Sequence, residues 1–398
     1  MKGKKRHDLT YKILYLIMPP YYSRKFNFEY DNIDVPYSPY IVISNHLTNP
    51  DPFLVGSSFK KSMYFVASDH LFRLGFVGKI IEFLISPIVR QKSTQETQTV
   101  ITMFRRLKEK CNICIFAEGT TSFNGKTGEI QPAIGKLVKR SGVALVTYRL
   151  SGAYFTRPRW SRFTHKGKMT GKCVNIYSPE QLSTMSTEEI FQAIKNDLYV
   201  DAYADQKNNP VAYYGKRPAE CLETILYLCP VCKQFTTLKS SDDRLFCSCG
   251  FTVRYNEYAY FEFPGSSEKP PFTTITDWSE WQREEVKEIA LSMKSRDSND
   301  PVFADIDQTL YSVERARQSK ELIRGKLCFF NNRISVIDDA EKAVEFPLES
   351  IIEIEFITMM TIIFSTKEHR VYEIRSNYPR SALKYCELFK AWQSVIKE

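Results

Sequence analysis

A histidine and an aspartate five residues apart, in Asn45-His46-Leu-Thr-Asn-Pro-Asp51-Pro52, are the residues best placed by type to move a proton. Imidazole changes charge near neutrality, and a carboxylate on one ring nitrogen leaves the other to act as a general base. Residues five apart are not neighbours on a helix, and a residue before proline is biased away from the α conformation. Asn49 and Asp51 therefore interrupt any helix here, and a loop must fold Asp51 back toward His46. Asp51 is expected as the N-cap of a helix whose first residue is Pro52.

A second polar loop follows an apolar run in Ile115-Phe116-Ala117-Glu118-Gly119-Thr120-Thr121-Ser122, so two strand-end loops could share one cleft. Between them, Ser86-Pro-Ile-Val-Arg90 ends an apolar run on an arginine suited to bidentate grip of a phosphate. Glu118 would repel a phosphate, so its expected part is to accept a hydrogen bond from an acceptor hydroxyl or to fix a nearby Arg or Lys. Residues 130–179 hold ten Lys/Arg and no acidic residue, with Lys136, Arg149 and Arg159 as reserve phosphate ligands. A polyanion is the natural partner: a phosphorylated small molecule, a phospholipid surface or nucleic acid. No Gly-x-Ser-x-Gly elbow occurs, which disfavours serine-triad chemistry.

The elements that must position these loops are short buried strands, read at 40–44, 111–116 and 143–150, each a β-branched apolar run bounded by polar residues or proline. Between the first two lies a helix, read from Glu96 to Lys110, with Val100, Met103, Phe104 and Leu107 at three- and four-residue spacing. Alternating strands and helices predict an α/β layer fold with a mixed or parallel central sheet covered by helices, over residues 26–217.

Asn45-His46 through Asp51, then Pro87-Ile-Val-Arg90, then Phe116-Ala-Glu118-Gly119-Thr120 resemble, in order and spacing, the phospholipid/glycerol acyltransferase family. The bacterial 1-acylglycerol-3-phosphate (lysophosphatidate) acyltransferases are the most similar branch. The likeness extends through Gly135-Lys136-Leu-Val-Lys139 and Val146-Thr-Tyr-Arg149. It implies that His46 and Asp51 activate the acceptor hydroxyl, that Arg90 binds the acceptor phosphate, and that Asn45, Glu118, Gly119 and Thr120 line the acceptor site. The co-substrate would be acyl-CoA or acyl carrier protein, with direct transfer to the sn-2 hydroxyl of lysophosphatidate. Glycerol 3-phosphate or another lysophospholipid is the rival acceptor. Ala117 stands where the family usually has proline, and Thr121 where many members have arginine.

Cys229-Pro-Val-Cys232 and Cys247-Ser-Cys249-Gly250 form two knuckles at the spacing of a tetrahedral zinc site. Four thiolates leave no coordination position for water, so the expected zinc is structural, with Cys221 as a substitute ligand because Cys-x-Cys is tight. Few basic groups surround the knuckles, which disfavours nucleic acid. A rival reading, a lipid- or nucleic-acid-binding zinc-ribbon protein with an inactive acyltransferase domain, runs against the intact His46 and Asp51.

The 398 residues, 43% hydrophobic and 25% charged, exclude wholesale disorder and a polytopic membrane protein. Residues 1–25 carry seven Lys/Arg against Asp8 and read as a basic amphipathic segment for an anionic membrane surface, with Pro19-Pro20 cutting the apolar run. No apolar stretch reaches the roughly 20 residues of a spanning helix. The expected location is the bacterial cytoplasm, peripheral to the inner face of the cell membrane. Residues 218–263 read as the zinc ribbon and 264–299 as a linker and helix. Residues 300–398 read as a pleckstrin-homology-like β domain, with a hairpin at 326–337, further strands to 375 and a closing helix.

Overall fold

The structure, a computed structural model, describes residues 2–68, 80, 82–90, 97–314 and 318–397. The chain forms two compact units, one of residues 1–159 and 163–215, the other of 160–162 and 216–398.

In the first unit seven strands form one sheet: β1 (Phe28–Tyr30), β2 (Tyr40–Ser44), β3 (Met63–Ser68), β4 (Ile88–Arg90), β5 (Asn112–Phe116), β6 (Ala144–Ser151) and β7 (Met169–Tyr177). Their order is β1-β7-β6-β2-β5-β3-β4. The run from β6 through β2, β5 and β3 to β4 is parallel, while β7 is antiparallel to β6, so the sheet is mixed. Alternation along β2 sends Ile41 and Ile43 into a core with Met103 and Leu107, Val138, and Ile190 and Ile194. These come from α3 (Thr97–Lys108), α4 (Ala133–Ser141) and α7 (Thr187–Leu198), where α1 is Lys2–Phe26, α2 Asp51–Ser57, α5 Ala153–Thr156 and α6 Pro179–Thr184. Glu96, read as the start of α3, lies outside the described residues.

Helix α1 continues through Pro19 and Pro20, where the sequence predicts a break. The two prolines forfeit backbone bonds, but the turns beyond them are held by packing: Tyr22 stacks on Phe26 and lies against Phe53. Nor does α1 carry one apolar stripe. His7, Tyr11, Tyr22 and Phe26 are buried against the unit, whereas Leu9, Ile13, Leu16 and Ile17 line the opposite side, Leu16 being 74% exposed. Two opposed apolar faces cancel the asymmetry that an amphipathic reading assumes.

The second unit begins with a four-stranded antiparallel sheet, ordered β11-β10-β9-β8, of β8 (Leu238–Ser241), β9 (Arg244–Cys247), β10 (Thr252–Tyr255) and β11 (Phe261–Glu262). Helix α9 (Ile275–Ser292) follows, counting Ala202–Asn208 as α8. A seven-stranded antiparallel sheet comes next, ordered β15-β14-β13-β12-β18-β17-β16, and is closed by α10 (Leu383–Lys397). Its strands are β12 (Phe303–Glu314), β13 (Gln318–Phe329), β14 (Arg333–Ile337), β15 (Ala343–Pro347), β16 (Ile351–Thr358), β17 (Thr361–Thr366) and β18 (Val371–Ser376). Strand β12 and the first half of β13 escape the sequence reading. Their charged residues, among them Glu314, Lys320 and Arg324, mask the period-two signal, and pairing with β18 supplies the stability that local pattern does not.

Candidate active site

Strands β2 and β5 are parallel neighbours, with Ser44 in register with Phe116. The loops that follow, one beginning Asn45-His46 and the other Ala117-Glu118, therefore leave the same end of the sheet side by side. Arg90 closes β4 at that end. This is the carboxyl-end crevice where open α/β sheets place ligands.

His46 Nδ1 lies 2.8 Å from Asp51 Oδ2, the pair foreseen from spacing. The same oxygen accepts the N–H groups of Leu47 at 2.6 Å and Thr48 at 2.9 Å, and Oδ1 accepts the Thr48 hydroxyl. Asp51 is fully buried, while one-fifth of the His46 side chain stays exposed. A carboxylate oxygen accepts, so the tautomer with its proton on Nδ1 satisfies this pair and keeps the Nε2 lone pair available as a proton acceptor. Phe116 stacks on the imidazole at 4.5 Å between ring centroids and restrains its tilt. Asp51 is the first residue of α2 rather than its cap; Pro50 occupies the cap position without a side-chain bond. The physical reason is competition, because the loop 46–48 takes the acceptors that a capping aspartate would offer its own helix.

Glu118 pairs with backbone N–H groups rather than with the Arg or Lys that was one of its expected partners. One carboxyl oxygen accepts the His46 backbone N–H at 2.7 Å and the other accepts Gly128 N–H, so the side chain staples the two site loops together. Burial pushes its pKa up to about 7, against the opposing pull of those N–H groups. Gly119 has φ +67°, and a methyl group there would sit 2.5 Å from Arg90 Nη1, so the glycine admits both the turn and the guanidinium. Asn45 is fully buried, with its amide donating to Leu150 O at 2.9 Å and accepting from Leu150 N–H at 2.8 Å. It pins β2 to β6, which corrects its expected place among acceptor contacts.

Arg159 reaches back from beyond α5 to the second loop. Its Nη1 donates to the hydroxyls of Thr120 and Thr121, at 2.5 and 2.9 Å, and to Thr121 O, while its guanidinium lies 4.4 Å from the Phe123 ring centre. A basic group thus stands beside Thr121, where many acyltransferases carry arginine in the chain itself. Lys136 is exposed on α4 and shares a cavity wall with Arg90. Arg149 faces solvent on β6, and its charge acts on Asp205 in α8. The residues that sequence reasoning missed are Phe116 as the imidazole's platform, Thr48, and Gly128 as the far end of the staple. Only Thr48, in the loop it shares with Asp51, had a local signal.

In the second unit the sulfur atoms of Cys229, Cys232, Cys247 and Cys249 all lie within 4.8 Å of one another, without Cys221. The Cys229–Cys249 and Cys232–Cys247 separations are 3.8 and 3.7 Å. A tetrahedron with bonds of about 2.3 Å has edges of about 3.8 Å, so the cluster could hold a zinc-sized ion.

The acyltransferase family model matches residues 27–151. Among solved structures, the chain is similar to the 1-acyl-sn-glycerophosphate (LPA) acyltransferase PlsC from Thermotoga maritima, at 18% identity over 50% of this chain and 80% of that one, TM-score 0.42. It is also similar to Dcp1p, at 12% identity over 25% of this chain and 86% of that one, TM-score 0.21. No curated protein sequence matches it. His46, Asp51, Arg90, Glu118 and Gly119, gathered at one sheet end, all lie within the segment, residues 27–151, that matches the acyltransferase family model.

Proposed function

We propose that this protein transfers a fatty acyl group from acyl-CoA or acyl carrier protein to the sn-2 hydroxyl of lysophosphatidate, giving phosphatidate. The observation that carries the reading is the fully buried Asp51 carboxylate on His46 Nδ1, within a domain of the acyltransferase family. His46 Nε2 takes the hydroxyl proton as the oxygen attacks the thioester carbonyl. The new C–O bond forms, the C–S bond breaks, and the imidazolium returns the proton to the departing thiolate. Asp51 holds the imidazole through Nδ1 and stabilises the transient imidazolium. Arg90, packed over Gly119, holds the acceptor phosphate, with Arg159 as a second cation next to the loop.

The exposed face of α1 supports seating on a membrane: Leu9, Ile13, Leu16 and Ile17 face solvent, and Lys5, Lys12 and Arg24 lie on the same helix. Among the described residues no helix is long and apolar enough to cross a bilayer. The four-cysteine cluster suits structural zinc, since thiolates fill every tetrahedral position. The β12–β18 sheet with its closing helix suits a pleckstrin-homology-like module.

The test is acyl transfer from acyl-CoA and from acyl carrier protein to lysophosphatidate in mixed micelles, with glycerol 3-phosphate and other lysophospholipids as rival acceptors. Phosphatidate formation that His46→Ala abolishes in a folded protein is the expected result; no transfer to any acceptor overturns the reading. Leu16→Glu/Ile17→Glu should leave the fold intact and release the protein from anionic vesicles in a flotation assay.

A further inference from the structure

A cavity of about 350 Å³ opens beside the catalytic loops, between α3, α4 and the end of β5. Its walls are apolar: Val66, Val100, Met103, Phe104, Ile134 and Leu137. Its floor includes Phe116, the residue on which the His46 ring stacks, so the cavity adjoins the base. Among the described residues, three cations line it, Arg90, Lys136 and Arg140, and no carboxylate does.

Lys136 and Arg140 stand four residues apart on α4, on adjacent turns of one face. Like charges at this spacing weaken a helix. Among the described residues neither makes an ion pair or a hydrogen bond, whereas Lys139 between them is held by the carbonyls of Ser183 and Met185. Arg140 near the helix end has a favourable dipole interaction to explain it; Lys136, further in, does not. An apolar pocket whose described wall carries paired cations and no acid selects an amphiphile with an anionic head.

Resting on the acyl-transfer reading above, we infer that this cavity is the donor site and that Lys136 and Arg140 take the phosphates of acyl-CoA, leaving Arg90 for the acceptor. The acyl chain enters between α3 and α4, which brings the thioester toward Phe116 and His46. Two cations one turn apart match the compact charge of a phosphorylated nucleotide. A carrier protein would instead need a contact face of several hundred Å².

The experiment measures binding of octanoyl-CoA, without acceptor, to the full chain and to Lys136→Gln/Arg140→Gln. Octanoyl-pantetheine, which lacks phosphate, and octanoyl carrier protein serve as parallel ligands, and circular dichroism verifies the fold. Loss of two charge-assisted contacts should weaken octanoyl-CoA at least about tenfold and leave octanoyl-pantetheine unchanged. Equal octanoyl-CoA affinity for both proteins overturns the proposal, as does an equal loss of octanoyl-pantetheine. A loss confined to octanoyl carrier protein overturns it in favour of a protein partner. Charge-dependent binding of octanoyl-CoA without turnover to any acceptor would uphold this site and refute the acyl-transfer reading instead.

Discussion

Replacing Asp51 by asparagine removes one charge while keeping the shape of the side chain, and the loop geometry says what this should cost. Oδ2 receives three N–H donors, from His46, Leu47 and Thr48, and Oδ1 receives the Thr48 hydroxyl. An asparagine oxygen in the Oδ2 position keeps all three N–H bonds, and the Thr48 hydroxyl can turn to accept from the new amide. Each bond falls from a charged to a neutral acceptor, a loss of about 1 kcal/mol, or about 3 kcal/mol in total. For a unit of this size that lowers the melting temperature by about 6–12 °C. Catalysis loses more, because the imidazolium formed in the transition state no longer faces a carboxylate. At a separation near 4 Å and intermediate dielectric that attraction is about 4 kcal/mol, or roughly a thousandfold in kcat. Asp51→Ala would strand two N–H groups at about 1–3 kcal/mol each and confuse unfolding with lost chemistry, so asparagine is the informative variant. The assay is phosphatidate formation under saturating lysophosphatidate and acyl-CoA, alongside a thermal melt. A folded Asp51→Asn protein whose kcat stays within a few-fold of wild type would refute the assignment of His46 and Asp51 as base and orienting partner.

Glu118 provides a pH test. Its folded pKa of about 7 lies above the unfolded value of about 4.3, so the native state holds the extra proton between those values, and this group's contribution to stability falls as pH rises through that window. The ionised form makes the stronger staple to His46 and Gly128, so activity should rise with pH through about 7, and Glu118→Gln should shift or flatten that limb of the kcat/KM profile. Gly119→Ala forces a side chain into positive φ and against Arg90; we expect about 1–2 kcal/mol of lost stability and a higher KM for lysophosphatidate, read by melting and steady-state kinetics. In the second unit, Cys229 follows Leu228, whose carbonyl accepts Trp278 Nε1–H and whose N–H, with that of Tyr227, donates to the fully buried Gln282 on α9. Cys229→Ser, or metal removal by a chelator, should therefore loosen α9 as well as the knuckles. Bound zinc by elemental analysis and amide exchange across 275–292 will check this; unchanged exchange after metal loss would count against it.

Much of the candidate site was legible because its key pair is local. His46 and Asp51 sit in one loop whose prolines restrict the backbone, so spacing and residue type alone bring the two groups together. The four cysteines were legible for the same reason, two short knuckles each closed by a turn. The buried strands at 40–44, 112–116 and 144–151 announced themselves through β-branched runs that only a sheet interior accommodates. What spacing could not supply is everything that depends on which strands become neighbours. Pairing of β2 with β5 sets Glu118 against His46, 72 residues away in the chain, and makes its carboxylate a staple between loops. Asn45 was drawn from acceptor binding into strand locking by the nearness of β6, and Arg159 was brought to Thr121 by the return of the chain beyond α5. Local patterns report the conformational preferences of a few consecutive residues. The partners of a buried polar group are chosen by the packing of segments far apart in sequence, and only the tertiary structure decides them.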